Sequence, residues 1–174
     1  VLNYGEYIDT SILKQFQKET GIKVLYEEAT TPEEMYSKYM ASTIPYDLVC
    51  SSDYMVERFI EEGQTEEIDY SKMQYIDNIG DLYWEMSKSY DPELKYSVPY
   101  FWGTVGILYN TNMVDEEITS WDSLFNGKYA GEIIMQNSIR DAYMCALKYK
   151  GYSLNTTDRK ELDIAQKLLI EQKP

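Results

Sequence analysis

The chain has 174 residues, 44% of them apolar, with 18 tyrosines, 30 acidic residues, no histidine and a formal net charge of −14. That much apolar matter suits one domain or two small lobes with real cores and excludes a disordered chain. The charge excludes nucleic acid and anionic membrane surfaces as partners, and the missing histidine removes the usual zinc ligands, the Ser-His-Asp triad and the Cys-His pair.

Val1–Tyr4 reads as a short apolar strand. Asp9 is placed to cap a helix carrying Ile12, Leu13 and Phe16 on one face, with Gly21 just past its end. Ile22–Tyr26 reads as a second strand. Thr31-Pro32-Glu33-Glu34 is a capping box with proline at the first helical position, so a helix should run from there to Ser42. Tyr46–Cys50 is a third strand, and Ser52 is placed to cap a helix bearing Met55, Val56, Phe59 and Ile60, closed by Gly63. Strand alternating with helix in this way predicts a parallel sheet covered by helices.

Gly63 to Tyr90 is polar and irregular, with a short helix predicted over Asp81–Ser87. Lys95–Tyr100 and Gly103–Tyr109 are extended, and Gly103 and Gly106 suit a chain crossing between lobes. Ser120 caps a short helix at Trp121, and Glu132–Met135 is a strand of a second lobe. Ser138 opens a helix showing Ile139, Tyr143, Ala146 and Leu147 on one side, ended by Gly151. Asn155-Thr-Thr-Asp158 opens the last helix, with Leu162, Ala165, Leu168 and Leu169 facing inward. The expected division is a first α/β lobe over 1–104, then a hinge crossing and an incomplete second lobe over 105–174. No apolar run approaches the roughly 20 residues that cross a bilayer. Val1 starts directly in a strand-like run without a signal peptide, so the chain is expected to be cytosolic, mature or cut from something longer.

Parallel sheets hold ligands beyond the carboxyl ends of their strands. The first such turn is Asn3-Tyr4-Gly5-Glu6-Tyr7 and the third is Ser51-Ser52-Asp53-Tyr54. Both combine a ring with a carboxylate or hydroxyl. Aromatic faces attract organic cations by about 0.5–2 kcal/mol, and carboxylate bonds to ammonium groups add roughly 1.5–3 kcal/mol each. Tyr4, Glu6, Tyr7 and Tyr54 are therefore candidate ligands for a cation. The competing reading is that the tyrosines pack the core with their hydroxyls at the surface. Cys50 and Cys145 read as two inert buried thiols. With no Gly-rich phosphate loop and no metal-ligand spacing, no cofactor is expected.

Several stretches resemble the spermidine/putrescine-binding proteins of bacterial ABC transporters. They are Leu2-Asn-Tyr-Gly-Glu-Tyr-Ile8, Phe16-Gln-Lys-Glu-Thr-Gly-Ile22, Met35-Tyr-Ser-Lys38, Tyr46-Asp-Leu-Val49 and Tyr96-Ser-Val-Pro-Tyr-Phe-Trp-Gly103. Thr119-Ser-Trp-Asp122 and the run from Leu147 to Asp158 continue the match in order and spacing. The resemblance implies a type II periplasmic-binding-protein fold, two lobes with mainly parallel sheets joined by a hinge. Family members are longer, and the chain matches their first half: the first lobe and part of the second.

The resemblance also implies a site. Tyr4, Glu6 and Tyr7 fall on the ligand-contacting turn, where Tyr4 replaces a tryptophan and Gly5 a hydroxyl residue. Ser52 and Tyr54 match the Ser-x-Tyr after the third strand. Ser138 and Asp141 fall on an acidic pair of the second lobe; Asp141 keeps the acid and Ser138 has lost it. Arg140 matches an arginine with a structural role. The implied function is non-enzymatic: an extracytoplasmic receptor, monomeric at full length, that captures a polyamine and delivers it to a permease, with the ATPase an indirect partner. Such receptors are periplasmic, lipid-anchored or fused to their permease. Three alternatives compete: a same-fold receptor for a sugar, amino acid or iron complex, a glycosidase built on Glu6 and Asp141, and a folding domain that binds nothing by itself.

Overall fold

Strand β1, Leu2–Tyr4, pairs on both of its edges. On one side runs strand β2, Glu27–Ala29, parallel and in the register Leu2↔Glu27, Asn3↔Glu28, Tyr4↔Ala29. On the other, Val49 bridges Leu2, with Leu2 N donating to Leu48 O at 2.9 Å and Cys50 N to Leu2 O at 2.8 Å. The computed structural model describes residues 1–173 and divides them into two units, Val1–Trp102 and Gly103 onward.

The helices begin and end where their sequence signals lie. Helix α1, Thr10–Thr20, is capped by the Asp9 carboxylate, which accepts from Ser11 N, and Gly21 closes it in the left-handed region at φ 74°. Helix α2, Pro32–Ala41, starts at Thr31, whose hydroxyl accepts from Glu34 N at 3.1 Å. The Glu34 carboxylate reaches back one residue further than a standard capping box, accepting from Thr30 N at 2.8 Å and Thr30 Oγ1 at 2.6 Å. Those bonds, with Lys38 beside it, hold the Glu34 carboxyl down to about 2. Helix α3, Asp53–Glu61, and helix α4, Asp81–Ser87, complete the first unit.

The strands differ from the sequence reading. Ile22–Tyr26 forms no ladder; the pairing falls on residues 27–29, because β1 offers only Leu2–Tyr4 opposite. Tyr46–Cys50 contributes one bridge rather than a strand. Helix α1 has no buried residue, and Ile12 and Phe16 stay 52% and 43% exposed, although they share a face as predicted. Cys50 is half-buried rather than buried, and burial pushes its thiol up to about 11; Cys145 is buried and also raised. Both thiols are free.

The core of the first unit is Leu2, Ala29 and Met35, lined by Tyr4, Tyr39, Tyr46 and Val49. Tyr39 packs its edge against Phe59 of α3 at 4.8 Å and stacks on Tyr46 at 6.2 Å. A second fixed point is Asp91, 1% exposed. Its carboxylate accepts from Lys95 N, Tyr96 N, Ser97 N and Ser97 Oγ at 2.9–3.1 Å. Tyr70 adds a bond from its hydroxyl to Ser97 O at 2.8 Å.

In the second unit, helix α5, Ile139–Lys150, and helix α6, Arg159–Gln172, bury Ala146, Leu147 and Ala165 against Phe125, Tyr143, Tyr152, Leu154, Leu168 and Leu169. Ser138 and Asp158 cap them, and Gly151 ends α5 at φ 75°. Ser120 caps a short 3₁₀ turn at Trp121–Leu124. The predicted strand Glu132–Met135 is not formed: Ile134 is 99% exposed and no ladder partner faces the segment among the described residues. Ile139, placed on the packed side by its spacing, is exposed. No helix among the described residues is long and apolar enough to cross a membrane.

Asp91 gives the first testable consequence. Replacing it with alanine leaves three backbone donors without their acceptor and should cost about 3 kcal/mol, read as a lower denaturant midpoint by tryptophan fluorescence.

Candidate functional site

The turn that follows β1 gathers the strongest candidates. Tyr4 ends the strand with its ring half-buried, and its hydroxyl lies 3.1 Å from Ser52 Oγ and accepts from Ser52 N at 3.2 Å. Burial raises the Tyr4 phenol above its ordinary value, against the pull of the serine bonds. The Tyr4 and Tyr7 rings stand 5.1 Å apart, tilted by 53°. Between them Glu6 sits at φ 63°, the left-handed region that costs a non-glycine residue roughly 1–2 kcal/mol. Such strain persists only where the surroundings impose it, and it collects at functional turns.

Ser52 departs from its expected role. It stands at the N-cap of α3 but makes no side-chain cap bond; its hydroxyl turns to Tyr4 instead. The Asp53 carboxylate accepts from Tyr54 N in its place. Tyr54 donates its hydroxyl to Glu33 Oε1 at 3.0 Å, in the first turn of α2. The structure thus brings Tyr4 against Tyr7 and Ser52, with Glu6 in the same turn, and bonds Tyr54 to Glu33. In the second unit the Ser138 hydroxyl accepts from Asp141 N at 3.3 Å, so one of its two lone pairs serves the cap. The Asp141 carboxylate is half-buried in the first turn of α5. Arg140 donates to Asn155 Oδ1.

Most of the tyrosine and carboxylate content is spent internally. Tyr36 donates to Glu62, Tyr46 to Glu27, Tyr129 to Glu116 and Tyr149 to Asp122, each at 2.7–3.2 Å. A carboxylate acceptor is the largest cause raising all four phenols. Arg58 and Lys128 neutralise Glu62 and Glu116 further. A surface depression in the second unit, lined by Glu116, Ser120, Asp122, Asn126 and Lys128, is of this self-paired kind. The Glu6 carboxylate, like those of Glu28 and Asp141, has no hydrogen-bond or ion-pair partner in the protein among the described residues. It is free for a cation.

Sequence reasoning missed two neighbours. The Tyr100 hydroxyl donates to Tyr7 O at 2.5 Å, and the Phe101 ring meets Tyr7 edge-on at 5.3 Å. Their separation in the chain hides them; the aromatic run at 100–102 was the one available signal. The Glu28 carboxylate lies beside Gly5, 3.6 Å from where a side chain there would begin.

Comparison with known proteins agrees with this architecture. The family model described as bacterial extracellular solute-binding protein matches residues 11–174. The spermidine/putrescine-binding periplasmic protein of Escherichia coli is 38% identical over 175 residues, covering 99% of this chain. The chain spans only 49% of that relative's length. The TpPotD lipoprotein of Treponema pallidum superimposes with a TM-score of 0.88 at 29% identity, over 99% of this chain and 54% of that one. The spermidine/putrescine ABC transporter substrate-binding protein PotD of Streptococcus pneumoniae, solved with calcium and HEPES, gives 0.75 at 39% identity, over 98% and 52%.

The strained turn makes its own prediction. Glu6→Gly should raise stability by about 0.5–1 kcal/mol, since glycine takes this φ without strain. Thermal unfolding of the chain measures it, and a loss of stability would show that the Glu6 side chain holds the turn.

Proposed function

The chain belongs to the bacterial extracellular solute-binding proteins, and from that membership we propose that it captures a polyamine, putrescine or spermidine, outside the cytoplasm for an ABC permease. The observation that carries the reading is the turn at residues 4–7. It joins a carboxylate without a protein partner, Glu6, to the flanking residues Tyr4 and Tyr7, whose rings stand 5.1 Å apart, at the carboxyl end of a parallel strand. Similarity to proteins named for binding spermidine and putrescine supports the same ligand class.

A polyamine is an alkyl rod with ammonium ends. Rings take its methylenes and one nitrogen; acids take its ends. A micromolar dissociation constant corresponds to about −8.2 kcal/mol. Glu6, Tyr4 and Tyr7, with Ser52 fixing Tyr4, supply part of that after ordering costs. The rest comes from Asp141 and Ser138 of the second unit, closing on the ligand through a hinge near Gly103–Tyr109. Tyr54 contributes through its ring, its hydroxyl being bound to Glu33. No chemical step is involved: the matched relatives are named as binding and transport proteins. The full-length receptor acts as a monomer, periplasmic or tethered to the outer face of the membrane.

Glu6→Gln in the full-length receptor should weaken putrescine binding by more than about tenfold, a loss of about 1.4 kcal/mol or more. Isothermal calorimetry decides it; an unchanged affinity removes Glu6 from the site. Residues 1–174 alone should bind putrescine and spermidine weakly or not at all, because the chain spans only 49% of the length of a matched relative and so carries only part of such a receptor's site. Submicromolar binding by this chain would place most of the site within residues 1–174.

A further inference from the structure

Resting on that amine reading, we propose that Phe101 is a third ring of the same wall and determines how long an amine the first unit favours. Three rings run in series: Tyr4 lies 5.1 Å from Tyr7, and Tyr7 lies 5.3 Å from Phe101. Tyr7 and Phe101 meet at 86°, so they form a corner that offers an alkyl chain two apolar faces. Phe101 is 65% exposed and Tyr7 44% exposed, while the buried core of the unit is Leu2, Ala29 and Met35. A phenyl ring has no hydroxyl to satisfy in water. A contiguous exposed aromatic patch marks an interaction surface.

The corner is held before any ligand arrives. The Tyr100 hydroxyl pins the Tyr7 carbonyl, and the Phe101 ring rests on Tyr100 at 4.3 Å. Upstream, the Asp91 carboxylate and the Tyr70 hydroxyl fix residues 95–97, which carry the chain to Tyr100. Preorganised walls lose little freedom on binding, so contact with them turns into affinity. A short diamine is covered by Tyr4, Tyr7 and Glu6. A longer amine continues over Phe101 and gains from it in proportion to its added methylenes.

The test compares 1,3-diaminopropane, putrescine and spermidine by calorimetry on the full-length receptor and its Phe101→Ala and Phe101→Leu variants, with thermal unfolding measured alongside. Phe101→Ala should weaken spermidine by about tenfold and 1,3-diaminopropane by no more than about twofold. Phe101→Leu should recover part of the spermidine loss, since it restores the apolar wall without the ring quadrupole. It carries the same comparison if the alanine variant does not fold. Equal losses for all three amines overturn the role in length selection. A lower melting temperature with unchanged affinities also overturns the proposal, placing Phe101 under protein rather than ligand. If the unsubstituted receptor binds none of the amines, the amine reading itself fails, and this inference with it.

Discussion

Two-sided parallel pairing of β1 organises everything else in the first unit. Glu27 N donates to Val1 O on one edge, and Leu2 bonds to residues 48 and 50 on the other, so three chain segments end together at one rim. Parallel strands need long crossovers, here α1 and α2, of which α2 packs its Met35 against Leu2 and Ala29. The rim lies beyond the strand ends. Tyr4 and Ser52, 48 positions apart, meet there because their strands point the same way. The ligand turn is thus a consequence of strand polarity.

The rim then combines a strained element with a stiff one. Glu6 is held at φ 63°, and Tyr100 bonds the carbonyl next to it. Tyr100 in turn follows a segment clamped by the buried Asp91 carboxylate. Neutralising Asp91 with backbone donors is a favourable way to bury a charge, because several directed N–H groups substitute for water. The rigidity needed at an exposed turn therefore originates in a buried one.

Electrostatics separates this turn from the rest of a strongly acidic surface. A net charge of −14 raises the local concentration of any cation. It does not choose a site, since exposed charges are screened within about 8 Å at physiological salt. Pairing removes some carboxylates from the choice, and the rings of Tyr4 and Tyr7 beside Glu6 mark the turn among those that stay unpaired. Glu27, Glu33, Glu62 and Glu116 hold tyrosine hydroxyls, and two of these also pair with a base. Five tyrosines, Tyr36, Tyr46, Tyr54, Tyr129 and Tyr149, satisfy acids within the fold, and the cation-binding reading narrows from the composition to the rim.

Helix boundaries were legible from the chain alone. Asp9, Thr31, Ser138 and Asp158 accept bonds from the residues their motifs name, and Gly21 and Gly151 close helices in the left-handed region. Caps are local: donor and acceptor lie within a few residues, so sequence spacing fixes their geometry. Strands were not legible to the same degree. Ile22–Tyr26 and Glu132–Met135 have strand composition, yet a strand exists only where a partner edge lies alongside, and the partner is remote in sequence. The same reason governs the site. Residue types at 4, 6 and 7 could be read as rings and an acid, but tertiary structure alone decided that Ser52 abandons its helix for Tyr4. It alone turned Tyr54 toward Glu33, and set Tyr100 and Phe101 against Tyr7 across 93 positions of chain.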